Sequence, residues 1–203
     1  MYNVFIVSYD CSRLGDYFLC CNEDIQSFLS INSPATTIRC THNSCDRTLL
    51  HSELSSYEDD YVVTIYAHGE DDKIIDNSEN DLINIDDARS SYNNAIVYST
   101  SCYSANQLGI EMHNYGCKFF FGYSNKSYVC MSNKDTFIQL DNFALKKIFL
   151  NNTIDGEKIY EETNTFFEDK LEEMKAVNPL VAPLVMHNKE SFKIYHNRMI
   201  YPS

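Results

Sequence analysis

The sequence predicts an α/β fold, with a mostly parallel central sheet of about six strands flanked by helices. Two observations predict it. Short β-branched and aromatic runs alternate along the chain with longer segments of helical period, as in successive βαβ units. Two of those runs also end in a reactive residue. Tyr61-Val62-Val63-Thr64-Ile65-Tyr66-Ala67 leads directly into His68-Gly69, and Ala95-Ile96-Val97-Tyr98-Ser99-Thr100-Ser101 leads directly into Cys102. In an open α/β sheet, ligands sit outside the carboxyl ends of the strands. If these two strands are neighbours, a thiol and an imidazole face each other across one crevice, which is a nucleophile beside a base.

Taken in order, Val4 to Val7 reads as the first strand, with Ser8-Tyr9-Asp10 just past its carboxyl end. By the same crevice rule, Asp10 is a candidate to point toward the site. Apolar residues at 14, 17, 18, 21, 25, 28 and 29 have helical spacing and place a helix over 14–29. Pro34 breaks it, and Thr36 to Cys40 reads as the second strand. Cys40, His42 and Cys45, with His51 beyond, lack the spacing of a zinc finger or ribbon. A loop leading into a helix over 46–54 is the expected reading there, and no metal is expected.

Tyr57 to Asp60 reads as a polar turn feeding the strand that ends at His68. After Gly69 come the acidic Glu70-Asp71-Asp72, read as a solvated loop, and a hairpin over 73–85. Asp86 to Arg89 reads as a short helix. Beyond Cys102, residues 104–115 read as a helix closed by Gly116. That reading places Cys102 at a helix N-terminus, where the partial positive charge lowers a thiol pKa. Cys117 to Gly122 is a further buried strand. Helices are expected over 132–150 and, more charged, over 157–174. Pro179 and Pro183 are read as ending the second of these, and Ser191 to His196 as a last strand.

A hydrophobic strand closed by His-Gly, then a hydrophobic strand closed by Ser101-Cys102-Tyr103-Ser104-Ala105, resembles the caspase-like cysteine peptidases of clan CD. That clan includes caspases, metacaspases, separase, gingipains and the CHAT-domain peptidases. His precedes Cys here as it does there, with a gap shorter than the roughly 50 residues of caspases. Ser-Cys-x-Ser is nearer the metacaspase and CHAT pattern than the Gln-Ala-Cys-x-Gly of animal caspases. The resemblance covers roughly residues 1–150.

It implies a caspase-like α/β/α sandwich and a Cys-His dyad. Cys102 is then the nucleophile, His68 the general base and acid, and the N–H groups of Gly69 and Cys102 the oxyanion hole. In the family, residues after the first strand and just before the Cys shape the pocket for the residue preceding the cleaved bond. Asp10, Thr100 and Ser101 stand at those places. Metacaspases, separase and gingipain R hold Arg or Lys there with acidic residues, whereas caspases hold Asp with Arg. Asp10 leans toward a basic residue, although Thr100 and Ser101 stand where metacaspases carry an Asp.

The implied function is a cysteine endopeptidase that cuts a specific protein. Small bacterial members act so in cell death and antiphage defence, on a substrate encoded nearby and under an activating partner or regulator. No cofactor is implied. The alternative is a catalytically silent binding or signalling module of the same fold.

Composition sets outer bounds. A chain of 203 residues, 44% hydrophobic, fits one domain spanning 1–203 with a sizeable core. A net charge of −13 disfavours nucleic acid and anionic membrane surfaces as partners, and favours a basic one. No apolar run reaches the roughly 18 residues of a membrane helix. Met1 to Val7 has no basic leader character, so a cytoplasmic location is expected, with the eight cysteines as free thiols. There is no Cys-x-x-Cys, which leaves a thiol redox protein without support.

Overall fold

The apolar runs fold as strands and the segments of helical period as helices. The computed structural model describes residues 3–11, 14–33, 37–41, 46–55, 61–89, 92–150, 155–196 and 199–200, with the backbone alone for 39–41 and 199–200. β1 (Asn3–Ser8) is followed by α1 (Gly15–Asn32), β2 (Thr37–Thr41), α2 (Arg47–Leu54) and β3 (Tyr61–Tyr66). A hairpin of β4 (Lys73–Ile75) and β5 (Asp81–Asn84) leads into α3 (Ile85–Ala88), β6 (Ile96–Ser99), α4 (Gln107–Asn114) and β7 (Phe119–Tyr123). A 3-10 turn at Met131–Asn133, then α5 (Lys134–Leu150), α6 (Gly156–Val177), α7 (Ala182–Ser191), β8 (Phe192–His196) and β9 (Met199–Ile200) complete the order.

The central sheet runs β2-β1-β3-β6-β7-β8-β9. The first five strands are mutually parallel; β8 pairs antiparallel with β7, and β9 antiparallel with β8. The mostly parallel sheet of six strands is therefore present, extended by the two-residue β9. All six residues of β3 are buried, as expected of a central parallel strand covered on both faces. The chain steps one way from β1 to β2 and the other way from β3 onward. Right-handed crossovers then place α1 on one face and α2 to α4 on the other. α5 packs on α1, α6 on α5 and α7 on α6. On the opposite face α3 packs on α4, and the Arg47–Asp87 ion pair at 2.6 Å joins α2 to α3.

The terminal helices correct one expectation. α6 ends at Val177, capped by Asn178. Pro183, read from sequence as a terminator, instead lies in the first turn of α7. A proline is tolerated there because its missing N–H would have no partner in the helix. Pro34, the turn at 57–60 and the Asn151-Asn152-Thr153 segment lie outside the described residues.

Beneath the carboxyl end of the sheet sits a layer of buried polar groups. Side chains at alternate positions of a strand share a face. Tyr66 of β3, Tyr98 of β6 and Tyr123 of β7 all meet α5 in this way. The hydroxyls of Tyr123 and of Tyr17 on α1 each donate to the Asp141 carboxylate at 2.6 Å, and Tyr98 donates to the Asp141 carbonyl. Tyr66 donates to Asn142, whose amide donates in turn to Cys21 O and Asp24. Asp141 is 2% exposed. Burial pushes its carboxyl up to about 6, against two tyrosine hydrogen bonds that lower it.

A carboxyl raised in this way stabilises the fold while protonated. That contribution is complete below about pH 4 and is lost as pH rises through about 6. Wild type should therefore lose up to about 3 kcal/mol relative to Asp141→Asn between pH 4 and pH 7. Urea midpoints of the two proteins across that range measure it. A constant difference would show that Asp141 titrates normally.

Candidate active site

The strand order reverses between β1 and β3, because the connection from β1 goes outward to β2 and later connections go the other way. A reversal of this kind opens a crevice at the carboxyl ends of the two strands. Three candidate residues follow strand ends that are paired level with one another. Ser8 of β1 pairs with Tyr66 of β3, and Ile65 of β3 with Ser99 of β6. Asp10 and His68 each lie two residues past the first pair, and His68 and Cys102 three residues past the second. The ladder carries on beyond the named strands through Tyr9 N–H to Tyr66 O and Thr100 N–H to Ile65 O.

Gly69 brings the two chains into contact beyond the sheet. A Cβ at this position would lie 2.7 Å from the Cys102 carbonyl oxygen and 2.7 Å from Ser101 Cβ. Real Cβ atoms do not approach so closely, so only glycine fits between the His68 and Cys102 backbones. His68 is held by its ring. Tyr9 packs edge-on at 4.9 Å between centroids, and Phe18 of α1 does the same at 5.6 Å. Burial lowers the imidazole pKa below its usual value, so the ring is neutral at pH 7.

The surroundings of Cys102 correct a second expectation. The helix predicted from residue 104 begins only at Gln107, and Cys102 to Asn106 form turns. Tyr103 adopts a left-handed φ of 58°. Its N–H bonds Asn125 O, the Ala105 N–H bonds Tyr123 O, and the Ser104 hydroxyl closes back on Ser101 O. The turn is thus tied to the end of β7 and not wound into α4. Cys102 therefore lacks the helix terminus expected to lower its pKa. Burial instead raises it, with Asp141 adding to the rise. Ser127 N–H, Cys102's own N–H and Lys126 oppose it. Among the described residues, the thiol's hydrogen-bond partners are the Ser127 N–H at 3.3 Å and, at long range, the Ser127 carbonyl at 3.9 Å. The imidazole is not among them.

The two N–H groups assigned to an oxyanion hole differ from their neighbours. Gly69 bridges Ile74, but the hydrogen bonds of that bridge are Glu70 N–H to Lys73 O and Ile75 N–H to His68 O. Such a pair leaves the Gly69 N–H out of the ladder. The N–H groups of Thr100, Ser101 and Tyr103 are bonded to Ile65 O, Ser99 Oγ and Asn125 O. The Cys102 N–H lies against its own sulfur.

The pocket candidates divide. Asp10 is exposed, is absent from the lining of the cleft beside Gly69, and accepts from Asn77 Nδ2 at 2.9 Å. Thr100 and Ser101 are 4% and 0% exposed, so their side chains lie beneath the site and not on a pocket wall. A cleft of about 470 Å³ opens beside Gly69, lined also by Glu70, Asp71, Asp72, Tyr103 and Gln107. Sequence reading assigned the three acidic residues to a solvated loop. Their spacing carries no local sign that the turn after Cys102 closes the other wall. The contribution of Ser127 likewise has no sequence signal.

Among the described residues, no three His, Cys, Asp or Glu side chains cluster to hold a metal. The Cys40, His42 and Cys45 side chains lie outside that set. Cys11, Cys20, Cys21, Cys102, Cys117 and Cys130 are free thiols. No described helix is long and apolar enough to cross a membrane. Neither a scan against family models nor a search of curated proteins finds a match to this chain.

Gly69→Ala should force the His68 and Cys102 backbones apart. The expected loss of stability is about 1–3 kcal/mol, the usual range for overpacking, read by chemical denaturation. Wild-type stability in the alanine variant would mean that the close approach relaxes without strain.

Proposed function

We propose that the chain is a cysteine endopeptidase. The shared register of the two neighbouring strands that end just before His68 and Cys102, with Gly69 packed against the Cys102 backbone, supports this reading. His68, neutral at pH 7, takes the Cys102 proton as sulfur attacks the peptide carbonyl carbon. The oxygen that becomes negative accepts from the Gly69 and Cys102 N–H groups, each worth on the order of 3 kcal/mol in comparable sites. The C–N bond then breaks, and the imidazolium returns its proton to the leaving amine. Water, deprotonated by His68, attacks the thioester carbonyl; the C–S bond breaks, the acid leaves, and the imidazolium returns its proton to the Cys102 sulfur.

The substrate is a protein with a basic residue preceding the cut, and activation by a partner or regulator belongs to the same proposal. Support comes from Asp10 just past the end of β1, from Glu70, Asp71 and Asp72 on the cleft wall, and from the net charge of −13. A catalytically silent binding module is the second reading. The observation favouring it is that the thiol bonds Ser127 and not His68.

A fluorogenic peptide library varied on both sides of the cut separates the two. Cys102→Ala should abolish turnover, and His68→Ala should lower kcat/KM by about 10²–10⁴. Full activity in folded Cys102→Ala, or a folded wild type whose Cys102 resists a thiol-reactive peptide probe, would sink the peptidase reading. A protonated imidazole cannot accept the thiol proton, so activity should fall toward acid pH. Because burial lowers the His68 pKa, the acid limb of kcat/KM should lie below the ordinary value of about 6.5.

A further inference from the structure

The segment after β7 has no regular structure from Ser124 to Cys130, yet it is tightly held. One side is fastened to α7. Asn188, only 1% exposed, uses both ends of its amide on one residue: Oδ1 accepts the Tyr128 N–H at 2.8 Å and Nδ2 donates to the Tyr128 carbonyl at 2.8 Å. His187 Nε2 donates to the Lys126 carbonyl at 3.0 Å, and its ring packs edge-on against Tyr128 at 4.9 Å. One turn on, the Ser191 carbonyl accepts both the N–H and the hydroxyl of Ser124.

The other side of the segment faces Cys102. In a planar trans peptide, the C=O and N–H point in opposite directions. The peptide joining Lys126 to Ser127 therefore presents its carbonyl to His187 and its N–H to Cys102 Sγ, at 3.3 Å. The peptide joining Ser127 to Tyr128 presents its N–H to Asn188 and its carbonyl to the same sulfur, at 3.9 Å. Two consecutive peptide groups are thus gripped at one end by α7 and touch the thiol with the other.

We propose that Asn188 and His187 are positioning residues for Cys102: His187 holds the peptide whose Ser127 N–H points at the sulfur, and Asn188 locks the adjoining peptide so that Ser127 cannot swing away. An N–H directed at sulfur favours the thiolate, which is the nucleophilic form. The ionisable groups that act on the thiol are Lys126 on the segment and Asp141 on α5, with Tyr123 of β7 bonded to it; His68 joins them under the proposed function, and His187 of α7 lies behind the segment. Asn188→Ala alters none of them. The inference rests on Cys102 being the reactive thiol of the proposed function, though not on its turning over any peptide.

The test is the rate at which iodoacetamide alkylates Cys102 as a function of pH, read by mass spectrometry on the fragment carrying it, with the exposed Cys11 as internal control. In Asn188→Ala the midpoint of the profile should move to higher pH, and the rate at pH 7.5 should fall on the order of fivefold, the worth of one hydrogen bond. His187→Ala, a less buried change that serves if the first variant does not fold, should shift the midpoint the same way. Cys11 should be unaffected in both. Unchanged midpoints in folded variants overturn the inference. So does an unchanged midpoint with a faster plateau at high pH, because the segment would then merely cover the thiol. The readout needs no peptidase activity. A protein that cleaves nothing yet shows the shift would reject the proposed function and leave this inference standing.

Discussion

The parallel pairing of β3 with β6 is the constraint on which the rest of the site depends. A parallel ladder admits no slip of one residue without turning every side chain to the opposite face. In β3 every residue is buried, so a slip would invert two packed surfaces at once. The pairing of Ile65 with Ser99 is thereby fixed, and with it the place where the chain leaves each strand toward His68 and toward Cys102. Gly69 extends the constraint past the last ladder bond. Its backbone occupies space against the Cys102 carbonyl that any side chain would need.

The buried polar layer beneath the site serves the same geometry from below. Strands alone fix distances along and across the sheet but leave the helices free to slide over it. Asp141 and Asn142 remove that freedom. Between them they bond tyrosines from α1, β3 and β7, with Tyr98 of β6 on the intervening carbonyl. A buried polar group left unpaired is costly, so any shift of α5 along the sheet would break several bonds without replacing them. The raised carboxyl of Asp141 shows that the layer is a compromise, in which positional definition is obtained with a charge that burial disfavours.

How far this was legible from sequence differs by element. The strands were legible because β-branched and aromatic runs of that length, bounded by polar residues, have few other uses. His68-Gly69 and Cys102 were legible because they follow such runs directly. α7 was not. Its buried positions are Ala182, Val185, Asn188 and Ser191, two of them polar, so no apolar stripe announces a helix. The helix after Cys102 was read as starting at residue 104, three too early, because the intervening turn rests on Tyr103 in a left-handed conformation, which a glycine would have signalled and a tyrosine does not. The acidic wall of the cleft and the approach of Ser127 to the thiol join residues far apart in the chain. Local pattern carries no information about such meetings.

The electrostatics of the site bear on when a proton would move. Burial acts on both members of the proposed dyad, raising the thiol and lowering the imidazole. Each shift favours the neutral form, a thiol and an imidazole, over a thiolate–imidazolium pair. A resting ion pair would be more nucleophilic, but it would also be open to oxidation and stray alkylation. A neutral pair keeps sulfur quiet until something compensates the charge to be formed. Under the proposed reaction, that compensation is already built in: the Gly69 N–H lies outside its ladder, and the Ser127 N–H is held on sulfur from behind by a helix. Fixed dipoles of this kind need no rearrangement as charge develops, which is the condition under which they lower a barrier most.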